Sequence, residues 1–119
     1  MTGSQVVERN GVPVLVVDSA GAPIAGGDDV LDVIGSAFGE AETVAIPAER
    51  LDRRFFALRT GVAGEIMQKF VNYRLRLAIV GDISAHIESS TALRDLVRES
   101  NRGNHVWFVA DLDELATKL

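Results

Sequence analysis

The sequence has no cysteine and only two histidines among its 119 residues. The absence of cysteine excludes disulfides, thiolate nucleophiles, iron–sulfur clusters and every zinc site that uses cysteine. The two histidines, His86 and His105, lie on different segments and do not have the spacing of a histidine metal site. We therefore expect no metal, no cofactor and no thiol chemistry.

Long apolar runs are absent as well. The longest, VPVLVV and LAIV, have the length of a strand and fall short of the roughly 18–20 residues that span a bilayer. The first ten residues, MTGSQVVERN, lack the basic start and apolar run of a signal peptide. We expect a cytoplasmic protein that does not associate with membranes.

The composition is that of an ordinary globular domain. Hydrophobic residues make up 47% of the chain and charged residues 24%, a balance that argues against a disordered chain. The length is that of one domain, so we assign residues 1–119 to a single domain. The formal net charge of −5 disfavours broad electrostatic attraction to nucleic acid.

The N-terminal region has the pattern of a β-hairpin. Asn10-Gly11 joins two β-prone runs, and both residues tolerate the positive φ angles of a type I′ turn. The pattern predicts an antiparallel pair of strands over residues 6–9 and 12–17.

After the hairpin, helix and strand patterns alternate. A first helix is predicted to be capped by Asp28 or Asp29 and to end at Gly39. Its predicted buried face comprises Val30, Val33, Ile34, Ala37 and Phe38. In a second helix, Glu65 and Lys69 have the spacing of a favourable ion pair.

The complete pattern predicts an α/β fold with one mixed, mainly parallel sheet. Its element order is β-β-α-β-α-β-α-β-α, and such alternation favours parallel strands joined by crossover helices. Residues 48–59 fit either a short helix or an irregular segment. The remaining predicted elements are strands at 43–46, 74–80 and 106–110, and helices at 60–73, 91–103 and 112–119.

Two sequence blocks resemble an uncharacterised bacterial family, domain of unknown function 4180. The blocks are LRTGVAGEIMQKFVNYRLRLAIVGD and ESNRGNHVWFVADLDE, and the resemblance extends over most of the chain from about Asp28 onward. It implies a family but no activity.

The element order is also similar to the STAS-like fold of anti-sigma factor antagonists. In those proteins a Ser or Thr before a Gly, at the start of the second helix, is a phosphorylation switch, and Thr60-Gly61 stands at the similar place here. The sequence departs from that pattern at Leu58, where those proteins often carry an acidic residue, and in its longer segment before Thr60. The resemblance implies a regulatory, protein-binding role with Thr60 as the phosphoacceptor.

The residues themselves allow two interpretations of the Thr60 turn. A phosphate at a helix N-terminus would meet free backbone amides and the positive end of the helix dipole. Alternatively, Thr60 is only a helix cap, and the nearby glycines serve close packing of the helix on the sheet. The candidate ligand- or partner-binding residues are Arg59, Gly61, Gly64, Glu65, Asp82 and Ser84.

An arginine cluster precedes Thr60. Guanidinium groups bind phosphate or an acidic partner in bidentate fashion, but Glu49 and Asp52 could instead pair with them in a solvated loop. The adjacent Phe55 and Phe56 either anchor this loop in the core or form an exposed contact with a partner, including a second copy of the chain. The cluster comprises Arg50, Arg53, Arg54 and Arg59.

Two further polar segments have structural interpretations as well as functional ones. Asp82 could accept a hydrogen bond from Thr60 or from a ligand, or it could bind its own turn. Residues 99–105 fit a helix end and turn, with a second site as the alternative. Asp82, Ser84 and His86 alternate without the sequence of a nucleophile elbow, so they do not indicate a catalytic triad.

The sequence leads to one main functional hypothesis and one alternative. The main hypothesis is a non-enzymatic regulatory domain that binds a protein partner and is switched by phosphorylation at Thr60. The alternative is a domain that binds a small molecule, nucleotide or phosphate and has at most weak hydrolase activity.

Overall fold

The computed structural model describes residues 4–119, and over this range it contains one five-stranded mixed sheet and five α-helices. The strands are β1 (Gln5–Arg9), β2 (Val12–Val16), β3 (Thr43–Pro47), β4 (Arg76–Val80) and β5 (Val106–Val109). The helices are α1 (Gly27–Ala37), α2 (Val62–Asn72), α3 (Ser84–Glu88), α4 (Thr91–Arg102) and α5 (Leu112–Ala116). The predicted α/β class is confirmed.

The strands lie in the sheet in the order in which they occur along the chain, β1-β2-β3-β4-β5. The predicted hairpin is confirmed: β1 and β2 pair antiparallel, and Asn10 and Gly11 have φ angles of 51° and 78°. All other neighbours pair in parallel, as predicted. The carboxyl ends of β2 to β5 therefore lie at one edge of the sheet, and the segments that follow them meet there.

Each face of the sheet has its own hydrophobic cluster. The larger cluster joins one face to α1, α2 and α4, with Ile34, Ile66 and Leu93 among its buried helical residues. The smaller cluster joins Trp107 and other residues of the opposite face to Leu115 of α5. In each long helix the residues that join the larger cluster recur at helical spacing and so form one packed face.

The predicted face of α1 is wrong at one residue. Val30, Ile34 and Ala37 are buried, but the helix ends at Ala37 and the Phe38 side chain is 82% exposed. Phe38 has a ψ of 122°, which is not helical, so it leaves the face on which the periodicity had placed it.

The N-cap of α5 is the carboxylate of Asp111, whereas the predicted cap of α1 is wrong. The Asp111 carboxylate accepts from the Glu114 amide at 2.8 Å, and the Glu114 side chain accepts from the Ala110 amide at 3.0 Å, which is a reciprocal cap. In α1 the N-cap is Gly26, and neither Asp28 nor Asp29 is the capping residue.

The segment between β3 and α2 is neither a regular helix nor an irregular loop. It forms three consecutive 3-10 turns, at Ala48–Arg50, Arg53–Phe56 and Leu58–Thr60, before α2 begins at Val62. The sequence left open whether Phe55 and Phe56 anchor this segment in the core or contact a partner, and their exposed fractions of 0% and 5% support the first interpretation. The two rings anchor the segment in the larger hydrophobic cluster.

The region around β4 also differs from the prediction. The strand begins at Arg76 rather than at residue 74, because Arg74 has a φ of 58° and still belongs to the turn after α2. After the strand, the short helix α3 was not predicted. The three 3-10 turns follow the carboxyl end of β3, and α3 follows the carboxyl end of β4. These segments therefore shape the edge of the sheet where the candidate site lies.

Candidate functional site

A pocket of about 640 Å³ opens between the 3-10 turns that follow β3 and the start of α4. Its position beyond the carboxyl ends of parallel strands is where ligands bind in open α/β sheets. We call it the basic pocket. It is lined by Arg53, Arg54, Phe56, Ala57, Leu58, Arg59, Thr60, His86, Ser89, Ser90 and Ala92.

The polar side chains that line the basic pocket include no carboxylate. Three guanidinium groups and one imidazole line it together with three hydroxyls, and its lining residues include no Asp or Glu. Arg53 and Arg59 form no ion pair within residues 4–119. The arrangement is therefore suited to binding an anion.

Asp52 orders the turn that presents Arg54. Its carboxylate accepts from the Arg54 amide at 2.9 Å and from the Arg54 Nε at 3.0 Å. The side-chain hydrogen bond from Arg54, followed by the bond from its amide, lowers the pKa of Asp52. The same carboxylate raises the pKa of Arg54. The predicted pairing of acidic residues with the arginine cluster is thus confirmed for Arg54.

Arg50 does not belong to the pocket. Its guanidinium donates to the carbonyls of Ala22 at 2.8 Å, Asp18 at 2.7 Å and Ala20 at 3.0 Å. A Cβ at Gly21 would come within 2.7 Å of the Arg50 Cζ atom, so the loop closes tightly around this side chain. Arg50 therefore holds the loop between β2 and α1, and only three of the four clustered arginines face the pocket.

Thr60 is exposed and lies on the wall of the basic pocket. Its hydroxyl lies 2.7 Å from the Arg54 carbonyl and 2.8 Å from the Ala57 carbonyl, and it accepts from the Val62 amide at 3.3 Å. The N-cap position of α2 belongs to Gly61, whose φ of 80° favours glycine. Thr60 thus ties the last two 3-10 turns to the first turn of α2.

Gly64 and Glu65 do not line the basic pocket. A Cβ at Gly64 would meet nothing within 4 Å, so the alternative that this glycine serves close helix packing is wrong. The Glu65 carboxylate accepts from the Gly27 amide at 2.6 Å and so satisfies a free amide at the start of α1. The predicted ion pair of Glu65 with Lys69 is not formed within residues 4–119.

Asp82 and Ser84 lie at a separate, smaller cavity of about 290 Å³. Asp82 accepts from the Ser84 amide at 2.9 Å, and hydrogen bonds from the Ser84 side chain and then its amide lower the pKa of Asp82. Asp82 therefore binds its own turn, which was one of the two sequence interpretations. Thr60 and Asp82 do not hydrogen-bond, because each uses its oxygen atoms locally.

Residues 99–105 have a structural role beside β5, an outer strand of the sheet. The Asn101 side chain accepts from the Phe108 amide at 2.8 Å and donates to the Phe108 carbonyl at 3.2 Å. The Trp107 indole donates to the Gly103 carbonyl at 2.9 Å. These bonds satisfy backbone groups of β5 and of the turn before it, which favours the structural interpretation of this segment.

Sequence reasoning missed three polar residues of the pocket, namely His86, Ser89 and Ser90. From the sequence, His86 suggests only a metal ligand or a member of a triad, and the five-residue helix that carries it is too short to show a periodicity. One signal was present: the segment after β4 must arrive at the same edge as the segment after β3, because the two strands are parallel.

The geometry defines a mixed α/β domain with a basic pocket at the carboxyl edge of its sheet. A family model, Domain of unknown function (DUF4180), matches residues 9–119, and the chain belongs to this family. The resemblance predicted from the two sequence blocks is thus confirmed. No curated protein and no solved structure matches the chain significantly.

Within residues 4–119 no group of three or more His, Asp or Glu side chains is placed to hold a metal ion. In the same part of the chain, no helix has the length and apolar character needed to cross a bilayer.

Proposed function

We propose that this chain is a non-enzymatic regulatory domain that recognises a phosphate-bearing molecule in the basic pocket. The observation that carries the proposal is the convergence of Arg53, Arg54 and Arg59 on one cavity whose lining has no carboxylate. Planar guanidinium groups match the oxygen geometry of phosphate and bind it in bidentate fashion.

The surroundings of the arginines support an anionic ligand. The molecule as a whole carries a formal net charge of −5, so a cavity lined by three arginines and no carboxylate differs from the rest of the chain. The start of α4, at Ser90 and Ala92, also lines the cavity and adds the positive end of a helix dipole. His86 has no carboxylate beside it in the lining, which favours binding over general-base catalysis.

Calorimetric titration with inorganic phosphate and glycerol 3-phosphate tests this proposal. We expect binding to the wild type, and a loss of about tenfold or more in affinity for the double variant Arg53→Gln/Arg59→Gln, because hydrogen bonds to charged groups are removed. The matched control is Arg98→Gln/Arg102→Gln, which removes the same charge from α4 outside the pocket. Equal binding by the two double variants, or no binding by the wild type, would contradict the proposal.

A second function is favoured by the position of Thr60. We propose that Thr60 is a phosphoacceptor that switches the binding of a protein partner, as the STAS-like resemblance implies. The residue is exposed, and its hydroxyl lies on the wall that also carries the three guanidinium groups. Phosphorylation would replace the hydroxyl hydrogen of Thr60, so Thr60 could no longer donate to the Arg54 and Ala57 carbonyls. The 3-10 turns would then have to rearrange.

Phosphosite mapping after incubation with bacterial lysate and ATP tests the second function. We expect phosphate at Thr60 and none in a Thr60→Ala variant, with the exposed Thr91 as an internal control. An unmodified Thr60, together with unchanged partner capture by a Thr60→Glu variant, would contradict it.

The proposal includes a cellular setting and a class of partner. We propose a cytoplasmic domain, on the basis of its cysteine-free composition. We propose a protein or small-molecule partner rather than a nucleic acid polymer, because the net charge is negative and only three of the 12 basic residues line the pocket.

A further inference from the structure

The wall of the basic pocket includes an aromatic ring that the binding of phosphate does not require. The His86 imidazole lies flat on the Phe56 ring, with 4.1 Å between the ring centroids and an angle of 10° between the planes. Phe56 is buried, whereas His86 is half-buried and lines the pocket. The imidazole is therefore the outermost ring of a stack that begins in the core.

This stack continues to the sheet. Phe56 contacts the edge of Phe55, with 5.1 Å between centroids and 71° between planes, and Phe55 contacts Phe108 of β5 at 6.5 Å. The rings at positions 55, 56 and 108 are 6% exposed or less. A column of packed rings thus runs from the sheet to the pocket and fixes the orientation of the imidazole before any ligand arrives.

Packing, rather than hydrogen bonding, holds His86. Its ring nitrogens make no hydrogen bond and no ion pair within residues 4–119, where Phe56 is its aromatic neighbour. A histidine that acts as a proton carrier is usually oriented by a hydrogen bond to one ring nitrogen. In this structure, the Phe56 ring instead supports the flat face of the His86 ring.

The size and the lining of the cavity also indicate a ligand larger than a phosphate ion. A volume of about 640 Å³ is in the range of pockets for whole small molecules and is far larger than a phosphate ion requires. The lining also includes the apolar residues Ala57, Leu58 and Ala92. The pocket therefore offers cationic groups for an anion together with an aromatic ring and apolar side chains that a bare phosphate does not use.

We propose that the ligand of the basic pocket is a phosphate ester that carries a planar aromatic ring, with a mononucleotide as the simplest example. The aromatic ring stacks on His86, and the arginines bind the phosphate. The inference rests on the proposed function and adds the chemical class of the ligand. Stacking of a base on an aromatic side chain depends little on the identity of the base, so the proposal concerns the class rather than one nucleotide.

Calorimetric titration with three probes tests the inference. The probes are inorganic phosphate, ribose 5-phosphate and adenosine 5′-monophosphate, which add in turn a sugar and an aromatic base to the same anion. We expect adenosine 5′-monophosphate to bind about tenfold more tightly than ribose 5-phosphate, because only it stacks. His86→Ala should abolish this advantage, and His86→Phe should retain it.

The outcomes separate the inference from the proposed function. Equal affinity for the two esters in the wild type, or an advantage of the nucleotide that survives His86→Ala, overturns the inference and leaves the phosphate site intact. Failure of all three probes to bind overturns both. The His86→Phe variant keeps the test valid if His86→Ala loosens the column, and far-UV circular dichroism of each variant verifies its fold.

Discussion

Gly61 is the residue at which the chain turns from the last 3-10 turn into α2. Its φ of 80° lies in the left-handed region, and no side chain within 4 Å would obstruct a Cβ. The requirement for glycine is therefore conformational rather than steric. The sequence predicted that Gly61 and Gly64 matter, but it could not separate them, because a backbone angle is not readable from a Thr-Gly pair.

The two glycines of α2 are predicted to respond to alanine in opposite ways. Gly61→Ala should lower the free energy of unfolding by about 1 kcal/mol, because a non-glycine residue is strained at this φ. Gly64→Ala should raise the free energy of unfolding by about 0.5–1 kcal/mol, because it lies within α2 and has open space for a Cβ. Urea unfolding of both variants measures this, and effects of the same sign would show that the assignment is wrong.

At the scale of single residues, helical periodicity predicted which residues are buried within a helix. It did not predict where side chains lie beyond the helix end or in the 3-10 turns. The inward residues of α2 and the buried Leu93 of α4 follow from helical spacing. Phe38 does not, because the helix ends one residue before it. The arginines show the same limit, because Arg50 and Arg59 cannot be distinguished in the sequence. In the structure, the 3-10 turns place Arg50 against the loop between β2 and α1 and place Arg59 on the pocket wall.

At the scale of elements, the two outer strands of the sheet, β1 and β5, have different surroundings. Beside β5, the Asn101 amide pairs with both backbone groups of Phe108, so it occupies part of the edge that another strand would use. At the other edge, β1 pairs with β2 and with no further strand among residues 4–119. The side-chain amide of one helix thus completes the hydrogen bonding of a neighbouring strand.

Replacement of Asn101 is predicted to weaken β5. Asn101→Ala should lower the free energy of unfolding by about 1–2 kcal/mol and accelerate hydrogen exchange at the Phe108 amide, because both hydrogen bonds are lost. Asn101→Asp should also destabilise, since a carboxylate cannot donate to the Phe108 carbonyl.

The matched control is Asn104→Ala, since Asn104 is exposed and its side chain makes no hydrogen bond within the described residues. Urea unfolding and amide exchange monitored by NMR provide the measurements. Unchanged exchange at Phe108 in the Asn101→Ala variant would disprove the role of this side chain.

The elements that the sequence missed are the ones without a regular period. The helix α3 has five residues, too few for a face to repeat, and a 3-10 turn spans even fewer. These segments build most of the basic pocket. The sheet and the long helices could be predicted because hydrophobic spacing encodes them, whereas the pocket depends on short turns fixed by tertiary contacts such as the burial of Phe55.

At the scale of the whole molecule, charge is distributed unevenly. The chain has 17 acidic and 12 basic residues, and yet the lining of the basic pocket has three arginines and no acid. The sheet topology creates this contrast, since it brings the segments after β3 and β4 to one edge. The predicted single site that would join Thr60 and Asp82 is replaced by two cavities on that edge.

The central claim is that an anion binds among these arginines. The most direct measurement is the change in backbone amide chemical shifts, recorded by NMR, as inorganic phosphate is added to the wild-type protein. We expect shifts concentrated at residues 53–60 and 89–92, on the two sides of the basic pocket. An unchanged spectrum, or shifts confined to residues 81–84 at the smaller cavity, would contradict it.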